Sequence, residues 1–302
     1  MTTAQPLLIP LSRRVLPEHL LPMHPEGPIV ACDFHVESIH LLGEEVEGGY
    51  RLGRLLNVDH HAPVPRMRRR ISSTGLAIEH VRRHGAAGAG TRVIINHTDC
   101  DSVLASAILL ALLRPDEAYA AAAVAADHTG EAHPLADLLQ SLEPERDFTM
   151  SLRNVLLVEA GAPMEAAASA RLRERLRRRE RAAELVAAGA FKEAGALRMA
   201  VLDEDTEGEL FPGLLPEARV VMLAIPGAEP GRWKMKLRLG RSAPDGLSLS
   251  MLGMEEVDPR YGGRWNAGSN RRGGGTTMDP DRYAALVAER LDRALRELDG
   301  HA

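Results

Sequence analysis

Four stretches of the chain bring carboxylates and imidazoles within a few positions of one another. In His97-Thr98-Asp99-Cys100-Asp101 the potential ligands alternate. Alternation places side chains on one side of an extended backbone, with Cys100 facing the other way. Carboxylate oxygens mixed with imidazole nitrogens suit Mn, Fe, Co or Zn, whereas a thiolate would suit softer ions. In Asp59-His60-His61 an acidic residue and two imidazoles follow an apolar run. Neighbouring side chains on a strand point apart, so one histidine can ligate a cation while the other reaches a substrate. Asp127-His128-Thr129-Gly130 and Asp33-Phe34-His35-Val36-Glu37 add further candidates. A lone His-x-Asp-x-Asp could equally cap a helix or face solvent. Two clusters that each follow a Val/Ile-rich segment point instead to a shared metal centre.

Elements that would position these residues are legible. Residues 28–32, 54–58 and 92–96 read as short buried strands, and the alanine-rich 120–126 fits either a strand or a helix. Each ends in one of the clusters. In an open parallel sheet the carboxyl ends of the strands lie along one edge, where ligands bind, so the clusters could converge there. Ser72-Ser73-Thr74-Gly75 reads as the cap of a helix through Ile78 and Val81, and 102–113 as the helix after the third strand. Residues 164–188 read as a helix whose arginine-rich run, Arg171 to Arg181, lacks interleaved aromatics. A solvated, ion-paired face is the expectation there, rather than a nucleic-acid stripe. Beyond it, 218–225 and 233–239 read as strands and 279–298 as a terminal amphipathic helix capped by Asp279.

A chain of 302 residues is long enough for two domains. The expected architecture is α/β: a parallel-sheet metal-binding catalytic domain over residues 1–160, a helical linker over 161–195, and a smaller α/β substrate-binding domain over 196–302. The active site is expected in the cleft between the domains. With 45% hydrophobic and 26% charged residues the composition is that of a globular protein. The net charge of −5 gives no general attraction to long nucleic acids. No signal peptide or membrane span is legible, and the two cysteines, Cys32 and Cys100, fit a reducing compartment, so a cytoplasmic location is expected. A homodimer is the prior for its assembly.

A second region, Tyr261 to Thr276, is rich in glycine and arginine. Glycine admits positive φ and close backbone approach to an anion, while arginine offers a planar fork to phosphate. Gly262, Gly263, Arg264, Asn266, Arg271, Arg272, Gly273 and Gly274 are the candidate substrate-binding residues. A flexible glycine-rich turn is the competing reading.

The Asp59-His60-His61 tripeptide, the His97/Asp99/Asp101 segment, the Ser73-Thr74 helix start and the Asp127-His128-Thr129-Gly130 element together resemble the DHH phosphoesterase superfamily. Gly262-Gly263-Arg264-Trp265-Asn266-Ala267-Gly268 resembles the Gly-Gly-His-x-x-Ala-Gly segment of the DHH-associated C-terminal domain, with Arg264 in the histidine position. These resemblances cover residues 28–130 and 195–280, in a permuted order, because here the Asp-x-Asp segment follows the tripeptide. They imply two divalent ions, Mn2+ foremost and Mg2+ or Co2+ as alternatives. The implied ligands are Asp33 (bridging), His60, His97, Asp99, Asp101 and Asp127, with His35 and Glu37 in reserve. His61 would touch the scissile phosphate and Asp59 would orient a histidine. The implied activity is hydrolysis of short nucleotidic phosphodiesters, oligoribonucleotides or cyclic dinucleotides, by a metal-activated water. A single-strand exonuclease, a small-molecule phosphatase or pyrophosphatase, and a noncatalytic nucleotide-binding module are the alternatives.

Overall fold

The apolar runs that end in acidic residues pair with one another. In the computed structural model, which describes residues 5–11 and 14–300, β1 (Leu7–Leu8), β2 (Ile29–Cys32), β3 (Glu44–Val46), β4 (Gly49–Leu52), β5 (Leu55–Val58) and β6 (Arg92–Ile95) form one sheet in the order β1-β6-β2-β5-β4-β3. β1, β6, β2 and β5 run parallel, and β4 and β3 add an antiparallel edge. All four residues of β2 are buried, as a strand covered on both faces requires. Two one-turn helices, α1 (Pro17–Leu20) and α2 (Ile39–Leu42), precede five longer ones: α3 (Ser73–His84), α4 (Cys100–Leu109), α5 (Glu117–Val124), α6 (Pro134–Leu142) and α7 (Phe148–Glu159). α4 is buried along its whole length: Val103, Leu104, Ala105, Ala107 and Ile108 pack in the core, and its buried serines are satisfied locally, Ser102 donating to His97 O and Ser106 to Ser102 O. Ile29, Ile94, Ile95, Leu104 and Ile108 sit in the same core.

Local chemistry sets the helix starts. Ser72 caps α3, its hydroxyl accepting from Gly75 N, as its position before the periodic run predicts. The helix expected over 102–113 begins earlier, at Cys100. Asp99 is its N-cap and accepts from Ser102 N at 3.0 Å, and the helix ends at Leu109. His97, Asp99 and Asp101 therefore do not alternate along an extended strand, and Asp101 projects from the first helical turn. The ambiguous alanine-rich segment is helical, in keeping with alanine's propensity. Asp116 caps α5 through Ala118 N, and α5 runs on into a π-helical turn, Ala125–Thr129, that carries Asp127. Insertions of this kind are frequent at functional sites.

The chain divides into two compact units, Met1–Asp127 with Ala132–Leu176, and His128–Glu131 with Arg177–Ala302. The division falls inside the helix α8 (Ala166–Ala187). Its arginines are largely ion-paired: Arg171 with Glu145, Arg178 with Glu207 and Arg181 with Glu184. Arg175 departs from the expected solvated face, being buried against Asp137 at 3.4 Å. The second unit holds a mixed sheet of β7 (Lys192–Ala194), β8 (Leu197–Val201), β9 (Val220–Pro226), β10 (Trp233–Leu239), β11 (Gly262–Gly263) and β12 (Ala267–Ser269), in the order β11-β12-β10-β9-β8-β7. Only the β8–β9 pair is parallel. α9 (Pro280–Asp299), capped by Asp279, buries Tyr283, Val287 and Leu291 in one core with Met222 and Met235. The class is thus α/β, with a sheet in each unit. Among the described residues no helix is long and apolar enough to cross a membrane.

One polar residue breaks the apolar pattern of β5. Asn57 is buried; its Oδ1 accepts from Val36 N at 3.0 Å, and its Nδ2 donates to Phe34 O at 2.9 Å and Ala31 O at 3.2 Å. It thereby ties down the segment that follows β2. Asn57→Ala should leave one amide and two carbonyls short of a partner in the core. The expected loss is about 1–3 kcal/mol of unfolding free energy, read as a lower urea midpoint at constant m-value.

Candidate metal centre

Strand order decides where the clusters meet. β2 lies between β6 and β5, so the residue that ends it, Asp33, stands between those that follow its neighbours. Asp33 Oδ2 lies 3.1 Å from His97 Nε2 on the β6 side. Its Oδ1 lies 3.8 Å from His60 Nε2 and 3.9 Å from His61 Nδ1 on the β5 side. His97 Nε2 is also 3.1 Å from Asp99 Oδ2. His60 Nε2 is 3.3 Å from Asp127 Oδ2 and 3.6 Å from Asp101 Oδ2. Two sets of converging ligand atoms result, Asp33-His97-Asp99 and His60-Asp101-Asp127, with a third, Asp33-His60-His61, linking them. Asp33 therefore offers one oxygen to each side.

Asp33 holds this position at some conformational expense. Its φ is 60°, a left-handed conformation that aspartate tolerates better than most residues. Both its oxygens are buried and accept no hydrogen bond of good geometry. Buried carboxylate oxygens without donors are costly unless something else neutralises them, and a cation between the two imidazole-carboxylate sets would do so. The donor set fits a divalent ion.

The surrounding contacts orient the ligands. His97 Nδ1 donates to Asn96 Oδ1, which turns Nε2 toward the carboxylates. Arg146 in turn donates to Asn96 O at 2.9 Å. Asp101 is held by the start of α3: Ser73 N donates to Oδ2 at 2.7 Å, and Thr74 N and Oγ1 each donate to Oδ1 at 2.6 Å. Asp59 Oδ1 accepts from His61 Nδ1 at 2.6 Å, while its Oδ2 faces His35 Nδ1 at 3.8 Å. The His60 and His61 rings do not point apart. Their centroids are 4.1 Å apart, because both residues lie beyond the end of β5, where strand alternation no longer applies. Of the reserve residues, Glu37 pairs with Arg14 at 3.9 Å, and neither it nor His35 belongs to a converging set among the described residues.

Electrostatics follow from this crowding. Burial pushes the Asp33 carboxyl up to about 7; the Asp99 charge adds to the rise and His97 holds it back. Burial opposes a charged His97, but Asp99 and Asp33 outweigh it and push the imidazole up to about 12. His60 is raised in the same way, with Asp127 and Asp101 overcoming burial. Burial and the neighbouring Asp33 raise Asp101. Burial works against ionised Asp59, yet the His61 charge and hydrogen bond keep it below the usual carboxylate range. The buried Cys100 and Cys32 thiols are raised, by burial first and then by Asp99 and Asp33 respectively. Neither cysteine is poised to supply a thiolate.

In the second unit the glycine-rich segment is a hairpin. Gly262 and Gly263 form β11, and a Cβ on Gly263 would lie 2.3 Å from Ala267 O, so close strand crossing rather than anion approach explains that glycine. Positive φ occurs at Gly274 (84°) and Gly275 (77°). Asn266 is buried, with Nδ2 at 3.2 Å from His128 Nδ1. The Trp265 and His128 rings lie 5.5 Å apart. Arg271 pairs with Asp205 at 3.6 Å. A cavity of about 280 Å³ is lined by Gly262, Gly263 and Arg264 together with Leu249, Ser250, Glu255 and Tyr261. Gly273 sits where a Cβ would meet the Arg260 side chain at 2.5 Å.

Sequence reasoning missed Asn96, Asn57 and Arg146. The first two carried a readable signal, an amide beside a candidate ligand and an amide inside an apolar strand. Arg146 reaches the site from 50 positions away, and local pattern cannot reveal that.

No known protein family matches the chain, and no curated protein does. Among solved structures, a pGpG-specific phosphodiesterase, PggH from Vibrio cholerae, aligns with a TM-score of 0.35 and 13% identity, over 48% of this chain and 52% of its own length. The chain thus spans about half of that protein. A likeness this remote decides nothing about the chemistry here.

Asp33→Asn should remove the carboxylate common to two of the converging sets and weaken binding of added divalent cation, read as metal per chain after dialysis. In the metal-free protein, the folded carboxyl titrates near 7 rather than at 3.8, so between those values the folded state binds more protons than the unfolded one. Stability from this group therefore falls as pH rises from about 4 to about 7. Urea unfolding in EDTA should show Asp33→Asn gaining on the parent over that window.

Proposed function

We propose that this chain is a metal-dependent phosphoesterase that hydrolyses short nucleotidic phosphodiesters, such as oligoribonucleotides or cyclic dinucleotides. The observation that carries the reading is the Asp33 carboxylate shared between two imidazole-carboxylate sets, with His97 at 3.1 Å from one oxygen and His60 at 3.8 Å from the other. The residues that would hold the ions are Asp33, His97 and Asp99 on one side, and Asp33, His60, Asp101 and Asp127 on the other. Two such ions, Mn2+ foremost with Mg2+ or Co2+ as alternatives, supply Lewis-acid activation of water and neutralise phosphoryl oxygens. The buried carboxylates are unsuited to binding an anion by themselves, so the acidity of the cluster supports a cation-first order of assembly.

The protein's own groups have separable tasks. His61, 11% exposed in its side chain where His60 is 1% exposed, is the imidazole better placed to meet a phosphoryl oxygen. Asp59 fixes its Nδ1 at 2.6 Å, which leaves Nε2 to face the substrate. Asp101, bound by the start of α3, keeps its carboxylate in one orientation. The Gly262–Gly263 hairpin with Arg264, Asn266 and the Arg271–Gly274 turn is the proposed substrate-holding element of the second unit, its cavity being of a size for part of a nucleotide. A net charge of −5 supports short substrates over long strands.

The test is product formation with Mn2+ against EDTA across a dinucleotide, a longer single strand, a cyclic dinucleotide and pyrophosphate. Mn2+-dependent cleavage of the short diesters is expected. No cleavage of any of them, with metal bound, overturns the reading. Asp99→Ala and Asp101→Ala should each lose activity together with metal. His61→Ala should keep its metal and lose about 100-fold or more in kcat.

A further inference from the structure

Four residues after α5, His128–Glu131, pack with the second unit although the chain on both sides of them belongs to the first. Asp127, the last residue before this segment, belongs to the His60-Asp101-Asp127 set. It shares the π-helical turn Ala125–Thr129 with His128. One peptide bond therefore joins a candidate ligand of the first unit to a residue embedded in the second.

The segment is held along its length. His128 is buried; its Nδ1 accepts from Asn266 Nδ2 at 3.2 Å, and its ring lies 5.5 Å from that of Trp265. Trp265 and Asn266 stand in the turn between β11 and β12. Gly130 has a φ of 65°, and a Cβ there would lie 2.0 Å from Glu209 O, so the segment fits only because this residue is glycine. Arg179 Nη1 donates to Gly130 O at 2.7 Å, and Glu131 pairs with Arg241 at 2.9 Å. Arg179, Glu209, Arg241, Trp265 and Asn266 all belong to the second unit. A peptide unit is planar and spans only about 3.8 Å between Cα atoms, so a shift of the His128 backbone moves Asp127 with it. Cation coordination tolerates about 0.2 Å in ligand distance.

We infer that His128 is a positioning residue for Asp127. The β11–β12 hairpin, holding the imidazole through Asn266 and Trp265, sets the Asp127 carboxylate, and cation affinity in the first unit is thereby linked to the hairpin of the second. This holds although, among the described residues, no residue of the second unit belongs to a converging set. The inference rests on the metal-centre reading of Asp127 and is independent of which ester is cleaved. Linkage is reciprocal, so a cation that fixes Asp127 also alters the surroundings of Trp265.

Cation binding to the full chain provides the test. Mn2+ is titrated calorimetrically into the parent, His128→Ala, His128→Asn and Asn266→Ala, and into His128→Ala and Asn266→Ala each combined with Asp127→Ala. His128→Ala and Asn266→Ala should each weaken Mn2+ binding about tenfold or more, as loss of a contact behind a ligand does. His128→Asn, whose amide oxygen still accepts from Asn266, should recover part of the loss. In the Asp127→Ala background neither substitution should cost further affinity, whereas general loosening of the fold would cost affinity in both backgrounds. The reciprocal readout needs no change at His128 or Asn266. The chain has two tryptophans, so Trp233→Phe leaves Trp265 as the single emitter. Saturating Mn2+ should shift its emission maximum, and Asp127→Ala should abolish the shift. An unmoved emission maximum, unchanged Mn2+ affinity in both single variants, or equal losses with and without Asp127 overturns the inference and leaves the metal centre standing. A parent that binds no divalent cation overturns both.

Discussion

Asp33 is a buried carboxylate held in a left-handed conformation at the end of a central strand, with imidazoles of two neighbouring strands facing its two oxygens. Everything else at this edge accommodates that arrangement. A carboxylate without hydrogen-bond donors in a low-dielectric interior is tolerable only near positive charge. His97 and His60 provide some, and their own affinity for protons rises in consequence. A bound divalent cation would provide far more, displacing those protons as it enters. The metal-free edge is thus an assembly of like charges relieved by protonation, and it is chemically prepared for cations.

Precision in such a cluster comes from the contacts behind the ligands. Asn57 of β5 makes one hydrogen bond to β2 at Ala31 O and two to the segment after it, at Phe34 O and Val36 N, so Asp33 is held from a rigid segment on both sides. Asn96 turns the His97 ring, and the first amides of α3 clasp Asp101. The helix start has a second use in this arrangement, since its unsatisfied N–H groups are where an anionic side chain is most stable. One structural device thereby satisfies a helix start and fixes the orientation of the Asp101 carboxylate.

The glycine-rich hairpin of the second unit shows how one composition supports two physical roles. Gly263 and Gly273 are small because neighbouring atoms pass within about 2.5 Å of where a Cβ would stand, while Gly274 and Gly275 are glycine because their φ is positive. Arg264 lines a cavity with Tyr261 and Glu255, whereas Asn266 is turned inward to His128. Close packing and positive φ therefore account for different glycines of a single motif.

Residue types and local periodicity were enough to identify three strands of the first sheet, the Ser72 cap of α3, the two long strands of the second sheet and the terminal helix. They also identified the acidic and imidazole groups capable of holding cations. These features are local: burial on two faces, capping and helix periodicity each leave a mark within a few positions. Strand order is not local. Nothing within residues 28–37 says that β2 lies between β6 and β5, yet that order alone gives Asp33 a ligand set on either side. Nor could alternation in 97–101 survive once Asp99 capped a helix, because a cap ends the extended backbone on which alternation depends. The sequence by itself determined which side chains could do the chemistry. Tertiary structure decided which of them meet, since pairing between distant strands is set by packing of the whole core rather than by any short window of residues.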